Sequence, residues 1–230
     1  MLVDVVMPIE NHQTQGQRPL DTLTSLHLRN GSGFISLLNS SKLQFGLGDC
    51  LAFVQQLHIR YCHNIVRWPV KEFRCLVRLR SLYIDDCRKL EGKGSSSKEI
   101  LLLPQLESLQ IYSCRSMLEI PMLPASIGEM EIKGCRSLVG LPSNLGHLAK
   151  LRHLKLESCS ALKVLPDGIT KFPQGLLKQL PALKLLHIWE CPDLQKRCRE
   201  GGEVSPIPDK LIPAPYEPRT KRSVKMLLRW

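Results

Sequence analysis

Val54-Gln55-Gln56-Leu57-His58-Ile59-Arg60-Tyr61-Cys62-His63-Asn64-Ile65 is the stretch on which the fold turns, because its spacing of apolar residues returns along most of the chain. The frame L-x-x-L-x-L-x-x-C-x-x-L recurs as Leu79, Leu82, Ile84, Cys87, Leu90 and as Leu106, Leu109, Ile111, Cys114, Met117. It continues through Ile127, Met130, Ile132, Cys135, Leu138, then Leu151, Leu154, Leu156, Cys159, Leu162, and ends with Leu183, Leu186, Ile188, Cys191, Leu194. Upstream, Leu23, Leu26 and Leu28 fit the same frame, with Gly31 in the cysteine position. Successive cysteines lie 25, 27, 21, 24 and 32 residues apart, so the frame is rigid while its connectors vary in length.

A repeat of this period predicts a leucine-rich-repeat solenoid. Alternation within L-x-L predicts a short strand, and strands from successive repeats stack into one parallel sheet while the return segments vary in length. The expected architecture is an α/β repeat solenoid: a horseshoe with a parallel concave β-sheet and a mostly irregular convex side. Residues 1–19 read as an N-terminal extension, 20–191 as about seven repeats, 192–203 as a capping helix, and 204–230 as a basic, proline-rich, poorly ordered tail. Proline at Pro192, Asp193 in the first turn, the basic residues after it and Gly201-Gly202 mark the helix. The tail holds five of the 16 prolines and the basic run Arg219-Thr220-Lys221-Arg222, which reads as a solvated charge run rather than a specific nuclear-localisation signal.

Several repeats close on an apolar residue and proline: Trp68-Pro69, Ile120-Pro121, Leu141-Pro142 and Leu165-Pro166. Proline fixes φ and removes a donor, which suits the bend toward the convex side. Gly92 to Lys98 reads as a flexible insertion. One copy alone buries too few aliphatic side chains to offset the entropy of ordering it, so stacking is obligatory.

Composition fits this picture. The chain has 230 residues, 43% hydrophobic but only 5% aromatic, so its core is aliphatic. With 32 basic and 21 acidic side chains the net charge is +11, but the basic residues are scattered among acids and do not point to nucleic acid. No apolar run reaches the roughly 18 residues of a membrane span, and the start lacks a basic flank before an apolar stretch. Neither a membrane anchor nor an export signal is expected, and the nine cysteines are expected to be reduced.

The six frame cysteines, Cys62, Cys87, Cys114, Cys135, Cys159 and Cys191, are expected to be structural: small inward side chains at the turn leaving each strand, each with a weak thiol hydrogen bond. Cys50, Cys75 and Cys198 fall outside the frame. No Cys-x-x-Cys pair supports structural zinc, no cofactor motif is present, and GxSxG, HExxH and phosphate-loop patterns are absent. The expectation is a protein that is not an enzyme and carries no cofactor.

Residues between the inward leucines face outward and can be read down columns. The column between the paired apolar residues is His27, His58, Tyr83, Gln110, Glu131, Lys155, His187; the next is Arg29, Arg60, Asp85, Tyr112, Lys133, Glu157, Trp189. Opposite charges fall side by side at Arg60/Asp85, Glu131/Lys155, Lys133/Glu157 and, in a third column, Arg80/Glu107. Aromatic residues, scarce in this chain, appear on these columns, and aromatics with arginine dominate protein interfaces. The candidate partner-binding residues are His58, Arg60, Tyr83, Asp85, Tyr112, Lys155, His187 and Trp189. The pair His27/His58, lacking a carboxylate neighbour, reads as solvated rather than as a metal site or a pH switch.

These copies, their L-P tails and the closing run from Cys191 to Glu203 (C-P-D-L-Q-K-R-C-R-E-G-G-E) resemble plant coiled-coil nucleotide-binding leucine-rich-repeat disease-resistance proteins, in their C-terminal repeat region only. The resemblance covers roughly residues 20 to 203. It implies a cytoplasmic, in part nuclear, defense role through a protein partner: a pathogen effector, a guarded host protein, or the nucleotide-binding module of a related receptor. Val204-Ser205-Pro206-Ile207-Pro208 departs from the aromatic-containing stretch of that family. The alternatives are an F-box-like substrate adaptor and a non-functional resistance-gene fragment. A third is an extracellular inhibitor, for which Asn30-Gly31-Ser32 and Asn39-Ser40-Ser41 would be glycan acceptors.

Overall fold

The computed structural model describes residues 23–30, 51–92, 100–163, 178–200 and 226–229. Seven strands of five residues each follow the repeats: β1 (Ser25–Arg29), β2 (Gln56–Arg60), β3 (Ser81–Asp85), β4 (Ser108–Tyr112), β5 (Glu129–Lys133), β6 (His153–Glu157) and β7 (Leu185–Trp189). Neighbours in sequence are neighbours in the sheet, all parallel, and an eighth strand, β8 (Met226–Arg229), pairs antiparallel with β7. This is a leucine-rich-repeat fold with one parallel sheet along its concave side.

The register makes the sequence frame a physical object. Leu57, Leu82, Leu109, Met130, Leu154 and Leu186 are partners in turn across β2 to β7, and each is at most 1% exposed. Ile59, Ile84, Ile111, Ile132, Leu156 and Ile188 form a second buried line beside it. Because strand side chains alternate faces, a slip of one residue would turn both lines into solvent, so burial itself locks the register. The core is aliphatic, and its largest fully buried side chain is Phe73.

Backbone bonds hold the strand ends from opposite directions. Where a strand begins, two amides of the later repeat donate to one carbonyl of the earlier: Arg80 and Ser81 to Gln55, Glu107 and Ser108 to Arg80, Gly128 and Glu129 to Glu107. Where it ends, the amide of the next residue donates forward: Tyr61 to Asp85, Asp86 to Tyr112, Ser113 to Lys133, Gly134 to Glu157, Ser158 to Trp189. That turn residue is left-handed in all seven repeats, from Asn30 at φ 51° to Glu190 at φ 50°, with glycine only at Gly134. The conformation costs a non-glycine residue about 1–2 kcal/mol, offset from Asn30 to Ser158 by the forward bond.

The convex side is irregular. Short 3-10 turns, Glu72–Cys75 and Leu145–His147, follow Pro69 and Pro142, and the Phe73 amide donates to the Pro69 carbonyl. Trp68, Ile120 and Leu141, the residues before the prolines, are buried. A second backbone ladder runs from Val66 through Glu91, Leu118 and Val139 to Lys163. Gly92, at φ 76°, lets the chain pass close to the Glu119 carbonyl, which also accepts from Trp68 Nε1 at 3.0 Å.

At the C-terminal end α1 (Pro192–Glu200) begins at the expected proline, with Leu194 fully buried and the Gln195 amide donating to the Cys191 carbonyl. The expected boundary at 203, the extension 1–19, most of the insertion after Gly92 and residues 204–225 of the tail lie outside the described residues. Within the tail, residues 226–229 form β8. The reason is that β7 would otherwise present its outer row of amides and carbonyls, and an extended Met226-Leu227-Leu228-Arg229 supplies partners.

Candidate functional site

The concave face carries the outward columns in register. His27, His58, Tyr83, Gln110, Glu131, Lys155 and His187 are successive partners across β1 to β7, as are Arg29, Arg60, Asp85, Tyr112, Lys133, Glu157 and Trp189. Most of these side chains are half-buried, because neighbours one strand away, about 4.8 Å, shield them.

The eight candidate binding residues do not form one patch. His58, Arg60, Tyr83, Asp85 and Tyr112 are contiguous. His27 and His58 stack at 4.2 Å with planes 4° apart, so this pair is packed rather than freely solvated. His58 lies 5.3 Å from Tyr83, and Tyr83 meets Tyr112 edge-on at 5.2 Å. The Arg60 guanidinium lies over the Tyr83 ring at 4.8 Å, while its Nε stands 3.9 Å from Asp85, an attraction without a hydrogen bond. Burial, then the charges of His27 and Arg60, hold the His58 imidazole below its ordinary pKa. Burial, then the charge and hydrogen bonding of Glu131, push the Tyr112 phenol above its own.

Across β5 and β6 the face becomes polar. Lys155 pairs with Glu131 at 3.4 Å, Lys133 with Glu157 at 2.7 Å and His153 with Glu129 at 2.9 Å. Gln110, Glu131, His153 and Lys155 line a shallow depression. His187 and Trp189 lie beyond this stretch on β7, three strands from Tyr112 and four from Tyr83. The Arg80/Glu107 pair of the third column closes at 3.1 Å. Exposed pairs of this kind contribute about 0–1 kcal/mol each, so they fix register more than stability.

Each frame cysteine is fully buried. Cys62, Cys87, Cys135 and Cys159 reach two carbonyls, one two residues back at 3.4–3.7 Å and one in the preceding repeat at 3.9–4.0 Å. The hydrogen bond with Cys114, with burial added, pushes the Cys87 thiol up to about 12, and burial pushes Cys135 up to about 12. Cys159 is raised as well, first by its hydrogen bond with Cys191. Thiols held protonated in this way are poor nucleophiles and poor metal ligands. Among the described residues no group of three or more His, Cys, Asp or Glu is placed to hold a metal ion, and no helix is long and apolar enough to cross a membrane.

Sequence reasoning stopped its columns at the cysteine and missed the next one. The residue after it is His63, Arg88, Arg115, Arg136 and Ser160 in successive repeats, all exposed on the rim where the chain leaves the strands. Reading the same alignment one position past the frame would have found it.

No protein-family model matches the chain. Among curated proteins it is similar to the disease resistance protein RPS4B of Arabidopsis thaliana, 25% identical over 118 residues that span 51% of this chain and 9% of that protein. SUPPRESSOR OF npr1-1, CONSTITUTIVE 1, from the same plant, is 30% identical over 133 residues, 46% of this chain and 9% of that one. The disease resistance protein RPP5, also from Arabidopsis thaliana, is 35% identical over 65 residues, 27% of this chain and 4% of that one. The chain thus spans less than a tenth of the length of these relatives. Among solved structures, the leucine-rich repeat domain of the type III effector XopL aligns over 70% of this chain and 74% of its own, at 18% identity and a TM-score of 0.28. That superposition is too loose to carry an argument, and the fold stands on the strand register. The resistance proteins matched are of the TIR class, so the likeness does not carry the coiled-coil class that the closing run implies. What it does carry is that these repeats are similar to the leucine-rich-repeat region of plant disease-resistance proteins.

Proposed function

We propose that the chain is a non-enzymatic protein-binding module that acts in plant defense, with the concave face as its contact surface. One observation carries this reading: a chain with only 5% aromatic residues places Tyr83, Tyr112 and Trp189 on the outward columns of its sheet, interleaved with arginine, lysine and histidine, while its core is aliphatic. A merely solvated face has no need of tyrosine and tryptophan, whereas interfaces are enriched in them. The side chains are also pre-ordered by stacking, which lowers the entropy lost on binding. The partner class is a pathogen effector, a guarded host protein or the nucleotide-binding module of a related receptor. The compartment is the cytoplasm, with the nucleus as a second site. No membrane, nucleic acid or cofactor enters the reading.

Screening the chain against a library of pathogen effectors and resistance-receptor nucleotide-binding modules is the direct test. Tyr112→Ala and Trp189→Ala are each expected to weaken a captured partner at least tenfold, about 1.4 kcal/mol or more, with the unfolding midpoint within about 2 °C of the parent. Full binding by both variants would remove the concave face from the reading.

A further inference from the structure

The rim column carries a run of exposed arginines. Arg88, Arg115 and Arg136 follow the frame cysteine in three successive repeats, stacked at the strand spacing of about 4.8 Å, and all three are exposed. Arg88 is already satisfied. Its Nε donates to Asp86 Oδ1 at 2.9 Å and its Nη2 to Asp86 Oδ2 at 3.0 Å, a two-point fork with the turn residue of its own repeat. The next two repeats keep the arginine and lose the acid, because the residue equivalent to Asp86 is Ser113 beside Arg115 and Gly134 beside Arg136. Among the described residues neither guanidinium makes an ion pair or a hydrogen bond. There is room for an acid: a Cβ at Gly134 would meet nothing closer than Ser113 atoms at 3.7–3.8 Å. The rim also favours an ionised carboxylate, since the Asp86 carboxyl is held below its ordinary pKa, first by the Arg88 hydrogen bonds and then by the charges of Arg88, His63 and Arg115.

We propose that Arg115 and Arg136 dock an acidic segment of a protein partner, whose carboxylates make at these two repeats the fork that Asp86 makes with Arg88. Arg suits this pairing because its planar donors match both carboxylate oxygens. The ridge is short, with His63 before its arginines and Ser160 after them, which fits a few carboxylates better than the phosphate run of a nucleic acid, whose interfaces bury about 600 Å² or more even for a single module. The proposal does not depend on the concave face.

The test is fluorescence anisotropy of the full chain with a labelled eight-residue Glu-Gly repeat peptide at low salt. Arg115→Ala/Arg136→Ala is expected to weaken binding at least fivefold. Ser113→Asp/Gly134→Asp keeps both arginines and supplies the missing acids in cis, and is expected to weaken binding comparably; Asp86 shows that aspartate accepts this left-handed turn. Lys150→Ala/Lys184→Ala removes the same charge elsewhere and is expected to change binding less than twofold. Equal loss in the lysine and arginine variants would reduce the effect to bulk charge and overturn the proposal. So would an unchanged affinity in the arginine variant, or tighter binding of a single-stranded oligonucleotide of equal charge. Tyr112→Ala is expected to leave peptide binding intact, which separates this surface from the concave one.

Discussion

Phe73→Ala is expected to lower the unfolding free energy by about 3–5 kcal/mol, the range for emptying a large aromatic site in a core. Phe73 is 0% exposed and is the largest fully buried side chain in a mostly aliphatic interior, so its truncation leaves a large cavity. It is held by local geometry as well: its amide donates to the Pro69 carbonyl and its carbonyl accepts from the Leu76 amide. Val77, four residues on and 44% exposed, is the control, and Val77→Ala is expected to stay within about 0.5 kcal/mol. Urea unfolding reads both, and hydrogen exchange locates the damage. Amides of β2 and β3 are expected to lose protection before those of β6, because each repeat leans only on its neighbours. A loss under about 1 kcal/mol for Phe73→Ala would mean that the convex turn is not packed on the sheet.

Alkali is expected to unfold the array through its cysteines. The thiols of Cys87 and Cys135 sit at about 12 in the folded chain against an ordinary 9.0. Between those values the unfolded chain releases protons that the folded chain keeps, so the balance moves toward unfolding as pH rises. The stability these thiols contribute is therefore complete below about pH 9 and is lost as the pH climbs toward 12. Each costs about 1.4 kcal/mol per pH unit over that window, so the two together give a slope of about 3 kcal/mol per unit. Unfolding midpoints measured from pH 8 to 11 check the slope, and Cys87→Ala/Cys135→Ala is expected to reduce it by about that amount while lowering stability at pH 8, the raised Cys159 thiol keeping its own share. A slope unchanged by that double substitution would assign the alkaline limb to other groups.

The repeat frame made the sheet legible before any coordinates, because apolar spacing of one kind in six copies leaves a single face for burial. The same alignment placed Arg60 beside Asp85 and Lys133 beside Glu157, since parallel neighbours without offset turn sequence columns into spatial ones. What lay between the frames was less legible. The burial of Phe73 depends on a 3-10 turn set by Pro69, in a connector whose length varies, so no column exposes it. The left-handed turn escaped because Asn30, Tyr61, Asp86, Ser113, Ser158 and Glu190 share no composition; from Asn30 to Ser158 the forward bond of the amide accompanies the conformation. His27 and His58 read as solvated because a column records adjacency but not ring orientation. β8 was hidden by the prolines and charges around it, which outweigh four residues in any composition window.

The antiparallel direction of β8 has a consequence for assembly. Every other junction in the sheet is head-to-tail, a contact that repeats without closing and would accept a further unit at either end. A strand running the opposite way cannot offer the next rung the same donor pattern, so at β7 it acts as a terminator. A further unit arriving at this edge would have to pair with the reversed strand, so head-to-tail stacking does not continue through β8.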